Sequence, residues 1–188
     1  MKIVCIGNSI VNGFPHKRSQ CFVSLWRESS KYEIINKGEN GDTTPNILAR
    51  FEKDVISHKP AKVIIMTGTN DFIYQISTPS ETLGHMDRMV EMSKEKSIEP
   101  VLLTPLLIDI SMASIHWIPN VDYALVEENL KILGGLILDY GKKNSVKVID
   151  TQKGFFKLYT EENKTDYLID GIHPTIIGHI AMAKFLQD

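Results

Sequence analysis

Four short stretches of this chain carry the residue types that transfer of an acyl group needs. Gly7-Asn8-Ser9-Ile10 presents a serine hydroxyl, and Asp170-Gly171-Ile172-His173-Pro174 presents an imidazole with a carboxylate three residues before it. A hydroxyl becomes a nucleophile when a base takes its proton. The base keeps one tautomer when a third group holds its far nitrogen, and the oxyanion that develops needs donors aimed at it. Ser9 suits the first role, His173 the second and Asp170 the third, across a turn that Gly171 makes feasible. Three donors are expected for the oxyanion. They are the Ser9 N–H, the N–H of Gly38 in Asn36-Lys37-Gly38-Glu39-Asn40-Gly41-Asp42-Thr43-Thr44, and the Asn70 side chain in Gly68-Thr69-Asn70-Asp71.

Each residue taken singly also has a plain structural reading. Serine favours strand-to-helix turns, glycine supplies positive φ in loops, and Asn70-Asp71 can close an Asx turn, which is the preferred role for Asp71. What separates the two readings is where the elements of the chain put these stretches. Short, nearly continuous apolar runs at Ile3–Ile6, Tyr32–Ile35, Lys62–Met66, Pro100–Thr104 and Val146–Ile149 read as strands buried on both faces. Helical spacing lies between them. Phe22, Leu25 and Trp26 form one stripe; Ile47, Leu48, Phe51 and Val55 another; Leu83, Met86, Met89, Val90 and Met92 a third; and Leu125, Leu130, Leu133, Ile137 and Leu138 a fourth. A last helix over Ile176–Leu186 follows Thr175 as its cap. Strand then helix, repeated, predicts a three-layer α/β/α domain with a five-stranded parallel sheet, one domain spanning residues 1–188. Ligands bind outside the carboxyl ends of the strands in such sheets. The four stretches fall there.

These blocks, in this order, resemble the SGNH hydrolase family, also called GDSL-like. Its Gly-Asp-Ser block is matched by Gly7, Asn8 and Ser9, and its Asn-x-Gly-x-x-Gly-Asp-Thr-Thr block by Asn36, Gly38, Gly41, Asp42, Thr43 and Thr44. Gly68, Asn70 and Asp71 match Gly-x-Asn-Asp; Asp170, His173 and Pro174 match Asp-x-x-His-Pro. The resemblance implies a flavodoxin-like fold and hydrolysis of carboxylic esters through an acyl-enzyme. It makes Ser9, Gly38, Asn70 and His173 the four residues for which the family is named. One departure is Asn8, where the family has Asp; the loss of charge predicts a shifted pH dependence or acyl preference.

Within that activity, the choice lies between simple acyl esters, thioesters among them, and acetylated sugars. Residues Pro105–Pro119, PLLIDISMASIHWIP, are too apolar for a solvated loop, and Leu106, Ile108, Met112 and Trp117 are candidates to line an acyl site. Simple acyl esters are favoured, since Trp117 is the one aromatic platform there for a sugar. Leu106, Ile108 and Ile110 as satellite core beneath a long loop are the equal alternative.

Other classes fit less well. A net charge of -2 with scattered basic residues supplies no stripe for nucleic acid. No apolar run approaches the roughly 20 residues of a membrane span. Without a leader pattern at the N-terminus, a cytoplasmic protein is expected. The histidines lack HxH or HExxH spacing, so neither a metal nor another cofactor is expected; His16, His58 and His85 are expected at the surface and His116 in a loop facing the cleft. Cys5 and Cys21 read as reduced thiols. A flavodoxin-like binding module is the alternative of a different class, but it leaves Asp170 and His173 unexplained and lacks a phosphate-binding glycine motif.

Overall fold

The structure is a computed structural model that describes every residue except 159, 161, 162 and 188, and Phe156 through its backbone alone. Its centre is a sheet of five parallel strands in the order β2-β1-β3-β4-β5. The strands are β1 (Lys2–Gly7), β2 (Glu33–Gly38), β3 (Lys62–Met66), β4 (Glu99–Leu103) and β5 (Lys147–Ile149). Their central residues are apolar on both sides because helices cover both faces. Val4, Ile6, Val63, Ile65 and Leu102 point into one core, and Ile3, Cys5, Ile64, Met66, Val101 and Leu103 into the other.

The helices are α1 (Ser9–Asn12), α2 (Phe22–Ser29), α3 (Thr44–Ala49), α4 (Phe51–Asp54), α5 (Thr69–Ile73), α6 (Pro79–Glu95), α7 (Ile110–His116), α8 (Tyr123–Asn144), α9 (Thr151–Phe156), α10 (Lys164–Tyr167) and α11 (Ile176–Phe185). Helices α3, α4, α6 and α8 pack on the first core through Ile47, Phe51, Met86, Met89, Leu130 and Leu133; α2 and α11 pack on the second through Phe22, Trp26 and Met182. Burying such a side chain is worth roughly 1.5–3 kcal/mol, so each apolar stripe fixes which face its helix covers. The fourth stripe begins one residue later than its spacing suggested: Val126 is buried and Leu125 is 49% exposed. Thr175 caps α11 by accepting the Gly178 N–H at 3.1 Å.

Three differences from the sequence reading bear on the site. Strand β2 extends to Gly38, paired with Gly7, so Asn36 and Gly38 belong to the sheet rather than to the loop after it. The segment 105–119 is no long loop, because α7 forms within it, with Asp109 accepting the Met112 N–H as its cap at 2.9 Å. Leu106 (1% exposed) and Ile108 (6%) are core residues, one in each cluster, so neither lines an acyl site; strand β4 runs out into the two cores and their apolar side chains follow it inward. Both cysteines are buried free thiols, and burial pushes the Cys5 thiol up. Among the described residues, no helix is long and apolar enough to cross a membrane.

Candidate active site

The chain leaves β1, returns as β2 on one side of it, and crosses to β3 on the other, so the connections diverge above the carboxyl ends of β1 and β3. That divergence opens the crevice in which this architecture holds ligands. Ser9 stands at the first position of α1, directly after β1, and Asn70 stands in α5, directly after β3. Asn8 caps α1, accepting the Ile10 N–H on its side-chain oxygen at 3.2 Å. An uncharged side chain therefore does the local work at position 8.

His173 reaches this place from the far end of the chain. Its Nε2 lies 2.9 Å from Ser9 Oγ, and its Nδ1 lies 2.7 Å from Asp170 Oδ2. Asp170 Oδ1 accepts the backbone N–H groups of Ile172 at 2.9 Å and His173 at 2.8 Å, which folds the turn tightly around its carboxylate. Burial of Asp170 disfavours its charge, but the hydrogen bonds and charge of His173 outweigh that and hold its carboxyl below the usual carboxylate range. An ionised carboxylate only accepts. The Nδ1 proton therefore points at Asp170 and leaves Nε2 as the acceptor facing Ser9.

Gly171 makes this turn possible at φ +86°, and a Cβ there would lie 2.5 Å from the Ala113 N of α7. The Asp109 N–H donates to Gly171 O at 2.8 Å. Much of the segment around α7 is thus a buttress for the His173 turn. His116 at its end is exposed, and Met112 packs beside Gly171 rather than in the cleft.

A cavity of about 90 Å³ adjoins Ser9, lined by Phe14, Asn40, Gly41, Asn70, Tyr74, Trp117 and His173. Trp117 alone of the four candidate lining residues borders it; Phe14, Tyr74 and Asn40 were not singled out from sequence, and Gly41 only as a match to the second block. Gly38 is not among its walls either. Its N–H donates to Asn36 Oδ1 at 2.8 Å, and a Cβ there would lie 2.2 Å from Asn12 N, so this glycine serves the close approach of β2 to α1. The glycine at the cavity is Gly41, at φ +81° with open space where a Cβ would stand. The signal was available, since the block holds two glycines, but spacing cannot tell which of them borders the cavity beside the serine.

The loop carrying Gly41 is held from below. Asp71, fully buried, accepts from Thr44 N at 3.1 and 3.0 Å, from Thr44 Oγ1 at 3.0 Å and from Ser77 Oγ at 3.1 Å, while burial pushes its carboxyl up. The role is structural, but it is a long-range anchor to Thr44 and Ser77 rather than the Asx turn expected from the sequence. Arg50 donates to Asp42 Oδ2 at 2.7 Å and to Gly7 O at 3.0 Å. Asn70 Nδ2 donates one hydrogen to Asp42 O at 2.9 Å, and a primary amide has a second to offer. The Ser9 N–H, at the start of a helix, is one of the donors that a helix leaves without an internal acceptor.

A larger cleft, about 610 Å³, lies elsewhere, against Ile3, Trp26, Lys62 and Ile149, and none of Ser9, Asn70 or His173 borders it. Three histidines expected at the surface, His16, His58 and His85, are half-buried, and His179 is fully buried. Among the described residues, no group of three or more His, Cys, Asp or Glu side chains is placed to hold a metal.

A three-layer sheet with a hydroxyl, an imidazole and a carboxylate gathered over its carboxyl edge is the architecture of an acylhydrolase. Comparison with known proteins makes the assignment definite: the model of the GDSL-like Lipase/Acylhydrolase family matches residues 5–181, and the chain belongs to that family and with it to the carboxylic ester hydrolases. An acetylxylan esterase of Geobacillus stearothermophilus is 26% identical over 158 residues, covering 82% of this chain and 71% of that one. The thioesterase 1/protease 1/lysophospholipase L1 of Escherichia coli is 25% identical over 103 residues, 54% of this chain and 49% of that one. A GDSL-like lipase from Bacteroides thetaiotaomicron has a TM-score of 0.79 at 25% identity, over 99% of this chain and 85% of its own.

Proposed function

We propose that the chain hydrolyses esters of short acyl groups, acetyl above all, with Ser9 as nucleophile, His173 as general base and Asp170 as the group that orients it. The observation that carries this reading is the pair of contacts on one imidazole, 2.9 Å to the serine and 2.7 Å to the carboxylate. His173 takes the proton as Ser9 Oγ attacks the ester carbonyl, and returns it to the departing alcohol. Water, deprotonated by the same imidazole, then attacks the acyl-enzyme and releases the acid and free Ser9. The oxyanion is met by the Ser9 N–H, the Gly41 N–H and the second hydrogen of Asn70 Nδ2.

The acyl preference rests on the cavity. At about 90 Å³ it is small against the roughly 300–1,000 Å³ of a pocket that encloses a drug-sized ligand, which favours a short acyl group over a long chain. Leu106 and Ile108, the candidates for an acyl wall, lie in the core and do not line it. The test is a series of p-nitrophenyl esters from acetate to decanoate, run beside acetylated xylo-oligosaccharides. Activity should be greatest on acetate and fall with each added pair of carbons; a kcat/KM that climbed with chain length would overturn the acyl assignment.

A further inference from the structure

Two aromatic rings close on the His173 imidazole from separate parts of the chain. The Phe14 ring centroid is 4.9 Å from that of His173 with the planes at 67°, and Trp117 is also 4.9 Å away at 57°. The two rings stand 6.0 Å apart at 73°, completing a triangle around a histidine that is only 2% exposed. Both ring nitrogens of His173 are engaged along its edge, one toward Ser9 and one toward Asp170.

We propose that Phe14 is a positioning residue which, with Trp117, clamps the His173 imidazole at the angle from which it takes the Ser9 proton. The proposal rests on the reading of His173 as the base. Its physical content is a coupling between two turns. Gly13 N–H and Phe14 N–H both donate to the carbonyl of Ser9 itself, at 2.8 and 3.0 Å, so the ring is tethered to the nucleophile's own turn. Gly13 holds that geometry at φ +106°, and a Cβ there would lie 2.5 Å from Cys21 Cβ. Trp117 is tethered to the base's turn instead: its N–H donates to Ala113 O at 3.0 Å at the end of α7, and α7 accepts the packing of Gly171. The contact of Phe14 with His173 therefore joins two catalytic groups 164 residues apart through something other than the hydrogen bond between them.

A ring can do this where an aliphatic side chain cannot. Edge contacts between aromatic rings are directional, so they oppose rotation of the imidazole as well as its displacement. A clamp of this kind acts on the aim of the proton transfer rather than on the binding of substrate, so its loss should appear in kcat rather than in KM.

The experiment is steady-state hydrolysis of p-nitrophenyl acetate by Phe14→Leu and Phe14→Tyr, with His173→Ala and Ser9→Ala beside them and circular dichroism confirming the fold. Phe14→Leu should lower kcat about tenfold with KM within about twofold, and Phe14→Tyr should retain at least half of wild-type kcat. A Phe14→Leu protein with wild-type kcat, or one that changes only in KM, overturns the clamp, as does Phe14→Tyr falling as far as Phe14→Leu. If Phe14→Leu does not fold, Phe14→Met fills the same space without a ring and the same criteria apply to it. Substantial activity in folded His173→Ala would refute the base assignment on which the clamp rests. An inactive His173→Ala beside a fully active Phe14→Leu refutes the clamp alone.

Discussion

His179 lies on α11 with its imidazole fully buried, stacked on Phe22 and facing His16 at 6.0 Å between ring centroids. Its Nδ1 accepts the Phe22 N–H at 3.3 Å, and its Nε2 has no hydrogen-bond partner among the described residues. Burial first, and then the charges of His16 and His173, push it down to about 3 from an ordinary 6.5. The folded protein keeps this imidazole neutral where the unfolded chain takes up a proton. Stability is therefore undiminished above pH 6.5 and is lost as the pH falls from there toward about 3, at up to about 1.4 kcal/mol per pH unit. Between about pH 7 and about pH 4.5 the loss comes to about 2.5 kcal/mol, a substantial part of the usual 5–15 kcal/mol of a folded domain. His179→Leu removes the titration. At neutral pH it costs about 1–2 kcal/mol through the lost acceptor of the Phe22 N–H. At about pH 4.5 the variant should be the more stable protein by roughly 1 kcal/mol, the difference of those two effects. Urea unfolding followed by circular dichroism at several pH values gives both curves, and all other titrations cancel in their difference. Curves that ran parallel from pH 7 to pH 4.5 would refute the reasoning, because they would mean that His179 binds its proton equally in both states.

The remaining predictions concern the site. Ser9→Ala should fold normally and lose all but a trace of esterase turnover, since a hydroxyl at the cleft edge contributes little to the core; a folded variant with more than about a tenth of wild-type kcat would exclude Ser9 as nucleophile. Asn70→Ala should lower kcat on the order of 100-fold with a smaller change in KM, and a pure KM effect would move Asn70 from the oxyanion to substrate binding. The two glycines of the second block should part company. Gly38→Ala meets backbone at 2.2 Å and should lower the unfolding midpoint sharply, whereas Gly41→Ala has open space and should fold with strain of about 1–3 kcal/mol and a reduced kcat. The proposed chemistry uses no metal, so prolonged EDTA treatment should leave the rate unchanged; loss of activity restored by a divalent ion would replace Ser9 attack with attack by a metal-activated water.

The five strands were legible because runs such as Ile3–Ile6 and Val63–Met66 are short and apolar at every position, which suits strands covered on both faces. Ser9, Asn70, Asp170 and His173 were legible for a related reason. Local signals put each just past a strand or in a turn, and parallel topology brings all such ends to one edge. The tertiary structure alone decided how that edge is finished. Gly38 and Gly41 stand three residues apart in one block, and only the pairing of β2 with β1 shows that the first is sheet and the second borders the cavity. Leu106 and Ile108 read equally as pocket or core because an apolar side chain looks the same in either; the direction in which the chain leaves β4 sends both inward. Phe14 carried no signal, since a lone aromatic after a short helix means nothing until His173 arrives from the other end of the chain to meet it. Sequence determines which residues are able to do chemistry and which element carries each, because those depend on near neighbours. Which N–H, ring or methyl group finally faces the serine depends on contacts across more than a hundred residues, and only the folded chain supplies them.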